Sequence, residues 1–233
     1  MNKEHSVDQP LCVAIDGPAG VGKTTTARAV AESLDLLYVD TGAMYRALAV
    51  LAARQGISPD DAGACTALAE KARVRLSRTR GGGLRVTAGG ADVTEAIRTA
   101  AASDGASRIS IHPGVRRRLV GWQRDLAARG RVVMEGRDIG TVVLPDARAK
   151  IFLTASAEER ARRRHRELVA QGRRPSFESV LRDILERDAR DQGRRTAPLR
   201  PASDAVVLDC TALGLTDQIA AVRRVIEALV AMR

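Results

Sequence analysis

Short runs of β-branched and apolar residues alternate along the chain with longer stretches of helical periodicity. The short runs are Leu11–Ile15, Leu36–Val39, Val132–Met134, Ile151–Leu153 and Val206–Leu208. They have the look of buried strands. Helical patterns follow most of them, at Lys23–Leu34, Ala43–Arg54, Ala157–Ala170 and Thr216–Met232. Strands separated by helices pair in parallel, with helices on both faces. The pattern therefore predicts an α/β fold built on a doubly wound, parallel, five-stranded sheet. Ligands of such sheets bind at the carboxyl ends of the strands.

Two segments break the alternation. Between about Arg73 and Arg98, Val74–Arg78 and Leu84–Thr87 flank Gly81-Gly82-Gly83, and a second turn at Gly89-Gly90 precedes Ala91–Val93. This predicts a small antiparallel insert outside the parallel sheet. From Ala157 to Arg195 runs a charge-dense helical stretch broken at Gly172 and Pro175. Helix, short loop, helix with many arginines is what a cover over phosphates needs, although most of these charges read as a solvated helical face.

The 233 residues, 45% of them hydrophobic, suffice for one α/β domain with insertions. No apolar run approaches the roughly 20 residues that cross a bilayer. Met1 to Pro10 is polar, lacks the apolar stretch of a signal peptide, and is expected to be a short disordered lead-in. Cys12, Cys65 and Cys210 are scattered without metal-ligand spacing, which suits a reducing cytoplasm. The formal net charge is +10, almost all of it from arginine, since Lys3, Lys23, Lys71 and Lys150 are the only lysines. A basic balance fits nucleic acid, anionic phosphate substrates or a compositional bias. Single-stranded nucleic acid calls for aromatic stacking platforms. Only Tyr38, Tyr45, Trp122, Phe152 and Phe177 are aromatic, and they are not interleaved with the basic runs. No nucleic-acid or membrane partner is expected.

Gly17-Pro-Ala-Gly-Val-Gly-Lys-Thr24 fits G-x-x-x-x-G-K-[ST] at every fixed position. It lies between a predicted strand and a predicted helix, the context that gives the motif meaning. Glycines let the backbone curl so that successive N–H groups face phosphate oxygens. The helix from Lys23 adds the positive end of its dipole. The Lys23 ammonium can reach the β- and γ-phosphates and the Thr24 hydroxyl can ligate Mg²⁺. The expected ATP-binding residues are Gly17, Pro18, Ala19, Gly20, Val21, Gly22, Lys23, Thr24 and Thr25.

GTPases, motor ATPases and kinases all carry this loop, so the reaction must be read elsewhere. Phosphoryl transfer is mostly positioning and charge neutralisation. A phosphate acceptor is already ionised and needs no general base, but it needs arginines. Arg46 in Asp40-Thr-Gly-Ala-Met-Tyr-Arg46 follows the second strand, and Arg137 in Glu135-Gly-Arg-Asp138-Ile-Gly140 follows the third. Both should face the ligand edge. Arg116 follows Pro113 at a helix start, and Arg187 and Arg194 flank Asp191 in the cover. His5, His112 and His165 are isolated, and no Ser/His/Asp or Cys/His arrangement is evident. A guanine-reading N-K-x-D motif is absent. These features favour a kinase for a phosphate-bearing acceptor over a nucleotide-dependent switch or a nucleic-acid-bound NTPase, and leave a kinase for a non-nucleotide metabolite open.

Over nearly its whole length the chain resembles the bacterial cytidylate kinases. The resemblance rests on Gly17–Thr24, Asp40–Arg46, Ile97-Arg-Thr99, Glu135–Asp146, Ile151–Leu153, Glu159-Arg-Ala161, and Arg187–Asp191 leading to Ala197-Pro-Leu199. It implies a P-loop NTPase-type fold and transfer of the γ-phosphoryl of ATP to CMP or dCMP with Mg²⁺. It implies Lys23, Arg137, Arg187 and Arg194 as catalytic residues and Thr24 as the metal ligand. For CMP it implies Thr41, Arg46, Arg137 and Arg194 around the phosphate. Ser107, Arg116 and Asp138 would read cytosine, with Ser103 as the alternative to Ser107, and Arg187 and Asp191 would face the sugar. Glu135 stands where the family usually has Asp, and Thr41 where it often has Ser, both keeping the functional group. The implied organisation is one domain over 1–233. It comprises core at 11–42, an acceptor-binding segment at 43–118 holding the insert at about 73–98, core at 119–156, a lid at 157–195 and core at 196–233. A monomer in the cytoplasm is expected.

Overall fold

The computed structural model describes residues 11–79, 84–128, 130–194 and 196–231. Met1–Pro10, the Gly81–Gly83 turn, Arg195 and Met232 lie outside the described residues. β1 (Cys12–Asp16) is the middle strand of a five-stranded sheet of order β2-β6-β1-β7-β8. β6 (Val132–Gly136) flanks it on one side and β7 (Ala149–Thr154) on the other, both parallel, with Asp16 level with Gly136 and Phe152. β2 (Leu37–Asp40) and β8 (Val206–Asp209) form the edges, also parallel to their neighbours. The chain runs are those expected, displaced by a residue or two at their ends.

Alternation along each strand sorts side chains to opposite faces. Val13 and Ile15 of β1, Val133 of β6, and Ile151 and Leu153 of β7 pack with Val30 of α1 (Lys23–Ser33) and with Val222 and Ile226 of α8 (Leu215–Ala231). Ala14, Val39, Val132 and Met134 face the other way, against Val120 of α5 (Pro113–Ala127) and Ile139 and Val143. Both faces are covered, as a parallel sheet requires.

A separate core builds the segment after β2. Met44 and Leu48 of α2 (Thr41–Arg54) pack with Cys65 and Leu68 of α3 (Ala62–Lys71) and with Ile109 of α4 (Ala100–Ile109). Val86 and Ala88 of β4 close it from the insert. That insert is a three-stranded antiparallel sheet, β3 (Val74–Arg78), β4 (Leu84–Ala88) and β5 (Ala91–Asp92), turned by Gly89 and Gly90 at φ +59° and +85°. α3 and α4 were not foreseen. Both are alanine-rich with few bulky apolar positions, so their periodicity is faint. Their starts are nonetheless marked by caps, Asp61 accepting from the Ala64 amide and Thr99 from the Ala102 amide.

After β7 come the two helices expected as a cover, α6 (Ala157–Ala170) and α7 (Phe177–Gln192), capped by Ser156 and Ser176. They pack through a small cluster around Ala161, Val180 and Ile184. No helix among the described residues is long and apolar enough to cross a membrane.

Candidate active site

The loop from Gly17 to Lys23 leaves β1 at its carboxyl end and turns directly into α1. Gly17 sits at φ +149°, so close to β7 that a Cβ there would lie 2.2 Å from the Leu153 carbonyl oxygen. Gly20 and Gly22 also have positive φ, +77° and +92°. The loop carbonyls are tied down by side chains: the loop's own Lys23 Nζ donates to Pro18 at 2.6 Å, and from outside Arg160 Nη1 donates to Ala19 at 3.2 Å and Gln218 Nε2 to Val21 at 3.1 Å. Fixing carbonyls outward is what lets the N–H groups of such a loop form an anion nest. Thr24 and Thr25 are exposed, while Lys23 is buried.

Glu135, at the end of β6, is buried beside this loop. Its Oε1 accepts from the Tyr38 hydroxyl at 2.5 Å, and the Thr24 hydroxyl is within hydrogen-bonding reach. Burial and the nearby Asp40 raise the Glu135 pKa, while Lys23 opposes the rise. Burial and the charges of Arg137 and Arg187 push the Lys23 pKa well down.

Asp16, the last residue of β1, supports the other side. Its two carboxylate oxygens accept from the amides of Ile139 and Gly140, each at 2.8 Å. These amides begin a single π-helical turn, Ile139–Val143. Such turns are rare and often mark functional sites. The turn leaves Asp138 buried, and Arg116 Nη2 donates to its Oδ2. The Tyr45 hydroxyl accepts from Arg116 Nη1 at 3.5 Å. Ser107 is buried with its hydroxyl lacking a hydrogen-bond partner among the described residues; Ser103 is half-buried one helical turn earlier. Gln123, fully buried on α5, likewise has an unpartnered Nε2.

Four arginines converge between these groups. Arg46 Nη2 donates to Asp40 Oδ2 at 2.8 Å, and Asp40 also caps α2 through the Ala43 amide. Arg137 Nε donates to Asp191 Oδ2 at 2.9 Å, and Arg194 takes Asp191 Oδ1. Burial raises the Asp191 pKa, but Arg137, Arg194 and Arg187 together hold it below its ordinary value. Burial and the neighbouring Arg137 pull the Arg187 pKa down to about 10, and its Nε has no partner among the described residues. Thr41, which the resemblance puts beside the acceptor phosphate, donates its hydroxyl to the Glu135 carbonyl at 2.7 Å. Asp191, which the resemblance puts at the acceptor sugar, spends both oxygens orienting guanidiniums.

Lys23, Arg46, Arg137, Arg187 and Arg194 thus crowd together, with the carboxylates of Asp16, Asp40, Glu135, Asp138 and Asp191 among them. Mutual repulsion among cations is costly and marks a site shaped for anions. The family model for cytidylate kinase matches residues 13–228.

The chain belongs to the cytidylate kinase family.

A cytidylate kinase from Pelotomaculum thermopropionicum is 52% identical over 201 residues, covering 86% of this chain and 89% of that protein. One from Carboxydothermus hydrogenoformans is 47% identical over 214 residues, 92% and 96% of the two chains. Among solved structures, a gluconokinase from Sinorhizobium meliloti 1021 superposes with a TM-score of 0.50 at 16% identity, covering 94% of this chain and 93% of that one. An uncharacterized protein from Eubacterium ventriosum does so at 0.51 with 11% identity, over 94% and 99%. These two likenesses concern the fold.

Within this family member, sequence reasoning overlooked several supporting groups. Glu135 stood inside a quoted motif without a role. Asp16 had no signal beyond its place before Gly17. Arg160, Arg163 and Gln218 reach the loop from α6 and α8, contacts that only the tertiary structure brings together.

Proposed function

We propose that the protein transfers the γ-phosphoryl group of ATP to CMP or dCMP, giving ADP and CDP or dCDP. The observation that carries this reading is the cluster of Arg46, Arg137, Arg187 and Arg194 facing Lys23 and the phosphate loop. One anionic group on the loop and a second among the guanidiniums would relieve the repulsion that Arg137 and Arg187 exert on Lys23 and on each other. The loop amides and Lys23 bind the donor phosphates. Arg46, Arg137 and Arg194 hold the acceptor phosphate, whose oxygen is ionised and attacks without a base. Arg187, whose charge acts on Lys23 on one side and meets Arg137, Arg46 and Arg194 on the other, neutralises the oxygens of the transferring phosphoryl.

Ser107, Arg116 and Asp138 suit a cytosine edge, which offers an exocyclic amine and two acceptors. The unpartnered Ser107 hydroxyl supports that assignment over Ser103. An exposed hydroxyl on Thr24 beside the Glu135 carboxylate fits a hard, oxygen-seeking cation. Mg²⁺ held there with the ATP phosphates would supply charge neutralisation at the donor oxygens.

Substituting Arg46→Ala separates the two halves. The expected outcome is a fall in kcat/KM for CMP of roughly 10- to 100-fold, the loss of a charge-assisted hydrogen bond, with ATP affinity changed by less than about threefold on the same reasoning. Steady-state kinetics with each substrate varied checks this. Collapse of ATP affinity with normal use of CMP would contradict the assignment.

A further inference from the structure

Arg160 belongs to α6, yet its side chain serves the phosphate loop. Nη1 donates to the Ala19 carbonyl, and the Arg160 Cβ lies 3.3 Å from where a Cβ on Gly20 would stand. Nε is committed to the Ala155 carbonyl at 2.9 Å, which fixes the plane of the guanidinium. Asp188 of α7 then grips the fork with both oxygens, at 3.1 Å from Nη1 and 2.6 Å from Nη2. Both side chains are largely withdrawn from water, 6% and 13% exposed. A bidentate pair of this kind fixes orientation as well as distance.

Asp188 directly follows Arg187 and precedes Asp191 by three positions, so it shares a helix face with the carboxylate that orients Arg137 and Arg194. A continuous run of contacts therefore leads from the donor loop through Arg160 and Asp188 into α7, and on to the acceptor guanidiniums. The apolar contact between α6 and α7 is small, which leaves the ion pair a large share in setting where α7 stands relative to the loop.

We propose that Arg160 and Asp188 form a strut that couples the donor and acceptor halves of the site, so that filling the phosphate loop settles α7 and tightens the hold on the acceptor phosphate. This rests on the reading of the two halves given above. Both are positioning residues, acting through the Ala19 carbonyl at one end and Arg187 and Asp191 at the other.

The test is the ratio of CMP dissociation constants measured by calorimetry without and with saturating β,γ-methylene ATP, on the full chain. The ratio is the readout, whatever either affinity does alone, because a general loss of folding moves both constants together. The wild-type protein should bind CMP about tenfold more tightly with the analogue present, within the range of coupling between sites. In Asp188→Asn the ratio should fall below about twofold. Arg160→Lys keeps the charge but cannot bridge the Ala19 carbonyl and both Asp188 oxygens, and should lose the coupling likewise. It carries the test if Asp188→Asn does not fold. The double variant should lose no more than either single one. A wild-type ratio near one, or an undiminished ratio in either folded variant, overturns the strut. Failure of the wild type to bind CMP at all would instead overturn the reading of the acceptor half, and the strut with it.

Discussion

The Asp16 carboxylate accepts two backbone amides, which would ordinarily keep it ionised, yet its pKa is raised from 3.8 to about 6. Burial outweighs the amides of Gly140 and Ile139, with Asp138 adding to the rise and Lys23 opposing it. The folded state therefore binds this proton more tightly than the unfolded chain does. Its contribution to stability is complete below the ordinary carboxylate pKa and is lost as pH rises through about 6. Asp16→Asn removes the titration and leaves one amide facing an N–H₂ group, at a cost of about 1–3 kcal/mol. Urea melts of both proteins across this window should show the wild-type advantage shrinking as pH rises from about 4 to about 6. An advantage that grows with pH would contradict the sign. Arg46 and Arg137 were legible in the sequence because each follows a strand end, and Lys23 and Thr24 because they lie inside a motif, whereas the roles of Thr41, Ser107 and Asp191 came only with the resemblance. Asp16 and Glu135 were not assigned roles, because their work depends on neighbours from other strands.

At the scale of elements, the phosphate loop was legible from its spacing, but the reason for its first glycine was not. Gly17 is required by the approach of β7, a strand more than a hundred positions later in the chain. Gly17→Ala should destabilise the protein by at least about 1–3 kcal/mol through the forced shift at Leu153 and weaken ATP binding. Thermal melts and nucleotide titration together check this, and normal stability with normal ATP affinity would contradict the close approach. The parallel strands and the two cover helices were readable because buried strands are continuous apolar runs and the cover is interrupted by Gly172 and Pro175. α3 and α4 were hidden by alanine, which favours helix without marking a face. The π-helical turn after Asp138 was beyond reach of periodicity, since it exists through the grip of Asp16 from a neighbouring strand.

Across the whole molecule, the carboxyl ends of β1, β2 and β6 place the phosphate loop, the Asp40-paired Arg46 and the turn after Asp138 along one edge of the sheet. α6 and α7 bring further arginines over that edge from the β7 side. The sheet architecture followed from the alternation of patterns alone. The convergence of five cations did not, because Arg187 lies on a charged helix whose sequence reads equally as a solvated face, and Arg194 follows just past its end. Carboxylates offset part of their repulsion, bound anions would relieve more, and the shape of the proposed acceptor half would decide which anions. The most direct measurement of the central claim is therefore a coupled assay of ADP release with ATP, Mg²⁺ and a panel of CMP, dCMP, UMP, AMP and GMP. The account predicts that kcat/KM for CMP or dCMP exceeds that for AMP and GMP by at least about a hundredfold, the discrimination expected where buried polar groups read a base. Equal turnover of AMP and CMP, or no turnover of CMP, would contradict it.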